Sequence, residues 1–463
     1  MSDQSELSLK HFYVYNECFG KNEGQEEQKI MYYFPPKVKV DDKMKNVGLS
    51  EAIIQFTKTF SKKQCCDSLH TEKTRHYYFS PEVNFYMVMT VNVPTRTSVE
   101  GKSYNGEEVQ DSVCLAVVKQ AYLMYRLFHG TFSSLLDSSD GDTSPLKQRL
   151  ESFFNRHLPT VKLQHCDIMD IFQGVQFLPL DKQTFLHIQC FVNLLEASFP
   201  VVEFTAFLYN DRLIWSGLEP EDMQVVFHYL VYTLLPKFSE TEEIPNGSIP
   251  TLSSYGRFLT GPENVHSNSN NVGKVPKLFL SHVKPSPGTF HIVVYRTSNC
   301  TVCLFIPESE QLTMEMFRKW DTFLGPRLTK LVSEVSSYTS KQSSTSTGPV
   351  DTATRFVYFN RMNLATKSTI HLDSRRTGNT VVTPQVLRLL ADINTEHTRN
   401  FNASNPSAET IVKTTSDYWV VGRLSNAREF YVVIQHKNAN LIEISDEVKR
   451  ICDNELKSIF FHV

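Results

Sequence analysis

The alternation of apolar and polar positions over residues 1–60 predicts two strands followed by a helix. Residues 12–15 and 29–34 are rich in aromatic and β-branched side chains, which favour strands. Pro35 ends the second strand, because proline has no backbone N–H to donate to a neighbouring strand. Apolar side chains then recur at helical spacing over residues 42–60, and they predict one apolar stripe formed by Leu49, Ile53, Phe56 and Phe60.

The rest of the chain repeats this pattern of alternating strands and longer amphipathic helices. Residues 1–160 form a first predicted domain. Residues 161–340 form a second, which begins with a predicted strand at Ile168 to Leu178 and ends in a long helix. Residues 341–354 are rich in Ser and Thr and predict a linker to a third domain at residues 355–463. The predicted fold class is α/β (α+β), with a mainly antiparallel sheet flanked by helices in each domain.

Composition and charge exclude several functional classes. The 463 residues carry a net charge of −3, which argues against a nucleic-acid-binding protein. No basic segment followed by an apolar one marks a signal peptide at the start of the sequence. The apolar runs are also too short to cross a bilayer. We therefore expect a cytoplasmic protein that is recruited peripherally to a membrane.

Candidate catalytic and metal-binding side chains are sparse and isolated. Cys300 and Cys303 match a CxxC spacing, but no second cysteine or histidine pair accompanies them, so two buried thiols are the stronger interpretation. The His-Cys-Asp triplet at 165–167 joins three reactive side chains that face different ways as sequence neighbours. The Gly-Lys pair at 273–274 lacks the Ser or Thr that completes a phosphate-binding loop. The sequence predicts no cofactor, no metal site and no covalent catalysis.

The polar side of the helix at residues 42–60 is a candidate interaction surface. Ser50, Ile54, Thr57 and Lys58 lie off the apolar stripe and are expected to face solvent. Ile54 in that position is either an anchor for a partner or one stray apolar residue on a mixed exposed face.

A second candidate surface is a basic amphipathic helix predicted at residues 146–158. Such a helix can lie in an anionic membrane surface. The candidate membrane contacts are Lys147, Arg149, Phe153, Phe154 and Arg156. The alternative is a helix docked on its own sheet, with the basic side chains reaching past the apolar face to water.

Several long segments resemble one known family. They include EGQEEQKIMYY at 23–33, KNVGLSEAIIQFTKTF at 45–60, TAFLYNDRLIWSGLE at 205–219 and YFNRMNLATKSTIH at 358–371. These segments are long and idiosyncratic, and they are spread over nearly the whole chain. The chain resembles the vacuolar fusion proteins of the calcium-caffeine-zinc sensitivity family, and its animal members most.

The resemblance implies three longin domains and an obligate heterodimer with a longin protein of the monensin-sensitivity family. In animals it also implies a third subunit that contains a β-propeller. The implied complex is the guanine-nucleotide exchange factor for the late-endosomal Rab GTPase, which acts at late-endosome and lysosome membranes in endosome maturation, vacuole fusion and autophagy. No nucleic acid is implied.

The resemblance further implies that the first longin domains of the two subunits form a joint platform for the GTPase. Helix geometry within the segment at 45–60 then gives the expected GTPase contacts, which are Lys45, Asn46, Ser50, Ile54, Thr57 and Lys58. The alternative is a non-catalytic scaffold or membrane-tether subunit, with the exchange contacts made by its partner.

Overall fold

A computed structural model describes most of the chain and divides it into two compact units. The described residues are 4–60, 66–98, 101–239, 256–266, 270–345, 354–371, 382–402 and 407–456. The first unit comprises Met1–Ile171 with Leu387–Glu396, and the second comprises Phe172–Val386 with His397–Val463.

The first unit is built on a five-stranded antiparallel sheet. The described strands of this unit, of which five form that sheet, are β1 (Gln4–Ser5), β2 (Ser8–Asn16), β3 (Ile30–Phe34), β4 (Ser68–His70), β5 (Thr74–Glu82), β6 (Phe85–Asn92), β7 (Thr95–Ser98) and β8 (Gly101–Tyr104). Its helices are α1 (Val40–Phe60), α2 (Asp111–His129), α3 (Phe132–Ser138) and α4 (Ser144–His157), and α5 (Ile168–Phe172) follows. The main sheet has the order β3-β2-β6-β5-β4, and β1, β7 and β8 form a separate small sheet.

The alternating side chains of β2 divide the first unit into two cores. Phe12 and Val14 join the core under α2, α3 and α4, and Tyr13 and Tyr15 join the core under α1. The predicted strands at 12–15 and 29–34 and the predicted helix at 42–60 are thus all confirmed. The sheet lies between α1 on one face and the other three helices on the opposite face.

The second unit contains two further sheets. Its first part comprises β9 (Val175–Gln176), α6 (Lys182–Ser198), β10 (Phe204–Tyr209), β11 (Arg212–Ser216), α7 (Pro220–Tyr229), a π-helical turn (Leu230–Leu234), α8 (Leu235–Ser239), β12 (Arg257–Phe258), β13 (Lys277–Leu280), β14 (Gly288–Thr297), β15 (Cys300–Pro307) and α9 (Met314–Thr345). The sheet has the order β11-β10-β15-β14-β12, and β13 also pairs with β14. One face of this sheet packs against α6 and α9, where Trp320 is fully buried.

The third sheet combines the C-terminal part of the chain with one earlier strand. The remaining elements of the chain are β16 (Thr354–Asn360), β17 (Ala365–Ser368), α10 (Pro384–Asn402), β18 (Ser407–Lys413), β19 (Tyr418–Ser425), β20 (Arg428–Gln435) and α11 (Leu441–Glu455). Of these, only the Leu387–Glu396 part of α10 belongs to the first unit. The order of the third sheet is β18-β19-β20-β16-β17-β9. Helix α11 covers one face and begins with a capping box, in which Asn440 and Glu443 satisfy each other's backbone amides.

Two predictions about the second unit are wrong. The expected strand at Ile168 to Leu178 is instead a short helix followed by β9, which pairs in parallel with β17 of the third sheet. The break lies at Gln173, whose φ of 46° is incompatible with a continuous strand. The predicted linker at 341–354 starts too early, because α9 continues through residue 341 to Thr345. Residues 346–353 of that linker lie outside the described residues.

Candidate functional site

Helix α1 is the element on which the candidate site is built. Asp41 and Asp42 lie in its first turn and Lys58 lies in its last turn. Negative charge at the start and positive charge at the end of a helix interact favourably with the helix dipole. The helix packs across the face of the sheet that carries five tyrosines, listed from β2 to β6 as Tyr13, Tyr15, Tyr33, Tyr78 and Tyr86. This tyrosine face decides which side of α1 is buried.

The tyrosine rings form two stacked pairs beneath the helix. Tyr13 stacks on Tyr33 with ring centroids 5.1 Å apart, and Tyr15 stacks on Tyr86 at 5.1 Å. Burial raises the pKa of Tyr13, Tyr15 and Tyr33 and raises the pKa of Tyr78 to about 12. The phenols are therefore neutral at physiological pH, and buried neutral hydroxyls need hydrogen-bond partners.

The polar side of α1 supplies a partner to three of the five hydroxyls. The Tyr13 hydroxyl donates to the Asn46 carbonyl oxygen at 3.2 Å and lies 2.7 Å from the Ser50 hydroxyl. The Asn46 amide donates to the Tyr33 hydroxyl at 2.7 Å. Near the end of the helix, the Lys58 ammonium donates to the Tyr86 hydroxyl, also at 2.7 Å. A small or polar residue at each of these positions lets the helix approach the sheet closely.

The predicted orientation of α1 is therefore wrong, and the helix is turned the other way. Ser50 and Ile54 are each only 1% exposed, whereas Leu49 is 49%, Phe56 64% and Phe60 76% exposed. The prediction turned the side with the larger apolar residues away from solvent, but a sheet face of tyrosine hydroxyls favours the polar side of the helix. The alternating tyrosines at 13, 15 and 33 were the sequence signal for this orientation.

The outward apolar stripe of α1 contains three of the four side chains that sequence reasoning assigned to one apolar stripe, whereas the fourth, Ile53, is half-buried and packs against the core. We define the outward apolar stripe as Leu49, Phe56 and Phe60, which lie at intervals of seven and four residues on one side of the helix. The Phe56 and Phe60 rings touch edge to face, with centroids 4.9 Å apart. Lys45 lies one turn before Leu49, with a side chain that is 77% exposed.

The residues expected to contact the GTPase thus separate into two groups. Lys45 is exposed beside the outward apolar stripe, and its ammonium lies 3.8 Å from Asp42. Asn46, Thr57 and Lys58 are half-buried, and Ser50 and Ile54 are buried against the sheet. The Thr57 hydroxyl donates to the Ile54 carbonyl oxygen at 3.0 Å. Four of the six residues therefore hold the helix on the sheet, Thr57 bonds within the helix itself, and Lys45 is the exposed residue of the six.

Helix α4 is docked on its own sheet. Phe154 is fully buried, with its ring centroid 5.0 Å from that of Phe12 and 5.3 Å from that of Tyr32. Phe153 is half-buried and packs edge to face on Tyr125 at 5.5 Å. The predicted membrane contact through Phe153 and Phe154 is wrong, because both rings are already used in the core.

The basic residues of α4 do not change this conclusion. Arg149 and Arg156 are exposed and Lys147 is half-buried. The Arg156 guanidinium donates to the Ser152 carbonyl oxygen of its own helix at 2.8 Å. The basic side chains therefore border a packed helix, as in the alternative interpretation of this segment.

The cysteines of the CxxC spacing point to opposite sides of β15. Cys300 belongs to the core that contains Val302 and Leu304, whereas Cys303 does not. Burial raises the pKa of the Cys300 thiol to about 12 and raises that of Cys303 as well. Residues three apart in a strand face opposite ways, so the two thiols do not form one site.

Two further searches cover only the part of the chain that the structure describes. Among those residues, no three His, Cys, Asp or Glu side chains converge as a metal site would require. Within the same ranges, no helix combines the length and apolar composition needed to cross a bilayer.

A titratable side chain lies on the same sheet face as the tyrosines. His76 on β5 contacts the hydroxyls of Thr74 and Thr90, each at 3.1 Å. Burial, and then the charges of Lys10 and His11, lower the pKa of His76 to about 4. Between about pH 6.5 and pH 4 the unfolded chain binds a proton here that the folded chain does not. The stability of the first unit therefore falls as the pH drops through this window.

We predict that His76→Asn makes the first unit less sensitive to acid. The measurement is amide hydrogen exchange of β5 and β6 between about pH 7 and about pH 5, corrected for the intrinsic exchange rate. Protection should fall more steeply with acid in the unmodified chain than in His76→Asn. His436→Asn, at an exposed histidine, is the control. Equal pH slopes for the unmodified chain and His76→Asn would contradict the prediction.

Comparison with protein families assigns a longin domain to each of three segments of the chain. The model of the first longin domain of INTU, CCZ1 and HPS4 matches residues 9–130. The models of Intu longin-like domains 2 and 3 match residues 202–330 and 350–451. The three longin-like domains expected from the sequence are therefore confirmed.

Comparison with individual proteins gives matches along nearly the whole chain. The vacuolar fusion protein CCZ1 homolog of Xenopus laevis is 43% identical over 471 residues, which cover 98% of this chain and 97% of the relative. The homolog of Nematostella vectensis is 41% identical over 463 residues, with 98% of both chains covered. The homolog of Dictyostelium discoideum is 28% identical over 479 residues, again with 98% of both chains covered.

Proposed function

We propose a function for the chain from its family, because it belongs to the CCZ1 family of vacuolar fusion proteins. The role of that family is vacuolar fusion and membrane trafficking. Within this role, we propose that the chain is one subunit of a heteromeric guanine-nucleotide exchange factor for the late-endosomal Rab GTPase. Its proposed partners are a longin protein of the monensin-sensitivity family and, in animals, a subunit with a β-propeller. The complex would work peripherally at late-endosome and lysosome membranes.

The observation that carries the proposal is the outward apolar stripe of α1. Three large apolar side chains are half to three-quarters exposed on one side of one helix, next to Lys45. Contiguous exposed apolar side chains of this kind mark interaction sites in folded proteins. The stripe supports a GTPase contact on α1 and replaces Ile54 as the proposed apolar anchor.

Exchange by such a surface requires binding and no covalent chemistry. A GTPase holds its nucleotide through its phosphate loop, Mg²⁺ and a closed switch segment. A partner accelerates release only if it binds the open, nucleotide-free form better than the closed form. Each tenfold shift needs ~1.4 kcal/mol of differential binding. Full burial of one large apolar side chain contributes ~1.5–3 kcal/mol. One or two of these side chains, buried only against the open form, therefore suffice to shift the equilibrium tenfold or more toward that form.

Lys45 adds an electrostatic component to this surface. Its charge lies one helical turn from Leu49, at the N-terminal end of the stripe. An exposed cation at the edge of an apolar contact mainly improves the association rate and the choice of partner. We therefore assign Lys45 to recognition of the GTPase and the outward apolar stripe to stabilisation of its open form.

Nucleotide release from the late-endosomal Rab tests the proposed function. The arms are this chain alone, the monensin-sensitivity family protein alone, and the co-expressed pair, each with Rab that carries a fluorescent guanine nucleotide. We expect acceleration by the pair and none by either chain alone, because the proposed site is shared. If the partner alone matches the pair, the proposal fails and the chain is a scaffold or tether subunit.

A further inference from the structure

Helix α9 carries a basic groove on its outer side, in the second longin domain. The groove has a volume of about 450 Å³, and its lining residues are Phe199, Glu315, Arg318, Lys319, Thr322, Phe323 and Arg327. Three of these side chains are cationic and one is anionic, although the whole chain has a net charge of −3. The groove is therefore a local reversal of the overall charge.

The floor of the groove is aromatic and fixed. Phe199 packs edge to face on Phe323, with ring centroids 5.2 Å apart. Both rings are half-buried, and both pack against the core of the second sheet. The rings therefore form a rigid apolar part of the groove lining.

Two guanidinium groups that line the groove are held in position by backbone carbonyl oxygens. The Arg327 guanidinium lies 4.0 Å from the centroid of the Phe323 ring and donates to the Phe323 carbonyl oxygen at 3.0 Å. The Arg318 guanidinium donates from Nε to the Val265 carbonyl oxygen at 3.2 Å. Guanidinium groups that are already ordered lose less entropy when they bind an anion. Lys319 pairs with Glu315 at 2.8 Å and so neutralises the single acid of the groove.

We propose that this groove binds an extended acidic segment of a partner protein, with an apolar or aromatic side chain between its carboxylates. The charge of the groove selects an anion, and its aromatic floor selects an apolar side chain. Arg318 and Arg327 are nine positions apart in α9, so they start from opposite edges of the helix face that carries Lys319 and Phe323. A segment with more than one carboxylate can meet both cations across this face.

The test uses a designed peptide on the full-length chain. The probe is a fluorescein-labelled peptide of three Glu-Gly-Phe-Gly repeats, which alternates carboxylates with aromatic side chains. Two control peptides replace Glu by Gln or Phe by Gly. Fluorescence anisotropy should show binding of the probe, and binding of either control that is weaker by roughly tenfold or more. A Phe-to-Gly peptide that binds as well as the probe would overturn the role of the aromatic floor and with it the proposal.

Charge reversal locates the binding site. Arg318→Glu combined with Arg327→Glu should weaken probe binding by roughly tenfold or more. The matched control is Lys437→Glu combined with Lys449→Glu, which makes the same charge change at exposed lysines elsewhere and should stay within roughly twofold. If the reversed chain has a lowered melting temperature, Arg318→Gln with Arg327→Gln repeats the test with a milder change. Unchanged probe binding in both arginine variants would overturn the proposal.

The competing ligand is an anionic membrane, and vesicle sedimentation tests it. Vesicles of phosphatidylcholine with phosphatidylserine are sedimented with the unmodified chain and with the arginine variants. We expect the variants to sediment like the unmodified chain. If the chain binds these vesicles only when both arginines are present, and does not bind the peptide, the groove is a lipid-binding surface and the proposal is wrong.

Discussion

Leu49→Asp combined with Phe56→Asp is expected to reduce nucleotide release by the co-expressed pair by roughly tenfold or more, without unfolding the chain. Both side chains project from α1 into solvent, so two aspartates there are well hydrated in the free protein. Against a GTPase, each carboxylate would have to lose its water in an apolar contact, which is unfavourable. The measurement is the rate of nucleotide release at a fixed concentration of the pair.

The control for this variant uses the same substitution at a different exposed surface. Leu186 and Leu194 on α6 are 44% and 48% exposed, close to the exposure of Leu49. Leu186→Asp combined with Leu194→Asp should leave the release rate within roughly twofold of the unmodified pair. Co-purification of the two subunits shows whether the dimer is intact. If the α1 variant forms the dimer and releases nucleotide at the normal rate, the outward apolar stripe is not a GTPase contact.

Ile54→Asp is expected to unfold the first unit, whereas the Leu49 and Phe56 variant alters only a surface. Ile54 is 1% exposed and belongs to the core between α1 and the tyrosine face. Loss of the buried side chain and burial of a carboxylate should together lower the free energy of unfolding by ~3–5 kcal/mol. A loss of that size is a large part of the stability of a typical domain, which is ~5–15 kcal/mol.

The measurement for Ile54→Asp is amide exchange of β2 and β6, which lie beneath the helix. Their protection should fall sharply in Ile54→Asp and only slightly in Ile54→Val, which removes one methylene and should lower the free energy of unfolding by ~1 kcal/mol. Protection in Ile54→Asp that equals the unmodified chain would show that α1 does not pack as described. Because Ile54→Asp unfolds the first unit, a loss of nucleotide-exchange activity in this variant does not test a surface contact.

Periodicity predicted the elements of the first unit because their apolar positions are regular. The strands at 12–15 and 29–34 and the helix at 42–60 are all present, and α2 ends at Gly130, whose φ of 76° favours glycine. The orientation of α1 was missed because the stripe with the larger apolar side chains was assigned to the core. The tyrosine hydroxyls of the sheet reverse that choice. A pattern based on hydrophobicity alone counts these tyrosines as buried aromatic residues and ignores their hydroxyls.

Other differences come from contacts that are distant in sequence. Strand β9 has two residues and is defined by its pairing with β17, about 190 positions later, so no local pattern could predict it. For α4, the sequence allowed both a membrane surface and a docked helix. The contacts of Phe154 with Phe12 and Tyr32 decide between them, and those residues lie far from α4 in sequence.

The resemblance to a family predicted the three longin domains but not the orientation of one helix. The segment at 45–60 matches the family along the whole of that stretch and contains both the buried Ser50 and Ile54 and the exposed Leu49 and Phe56. A matching motif therefore identifies the helix without indicating which side meets a partner. The burial of each side chain supplies that information.

A site-specific crosslink from Phe60 tests the proposed contact most directly. Phe60 is 76% exposed at the end of the outward apolar stripe, so a photoreactive benzoylphenylalanine fits there without disturbing the core. The pair that carries this substitution would be bound to the nucleotide-free Rab and irradiated, and the crosslinked product would be identified by mass. We predict a crosslink to the GTPase that does not form when excess nucleotide is added before irradiation and releases the Rab from the pair. A crosslink only to the longin partner would contradict the account, because the stripe would then be a subunit interface.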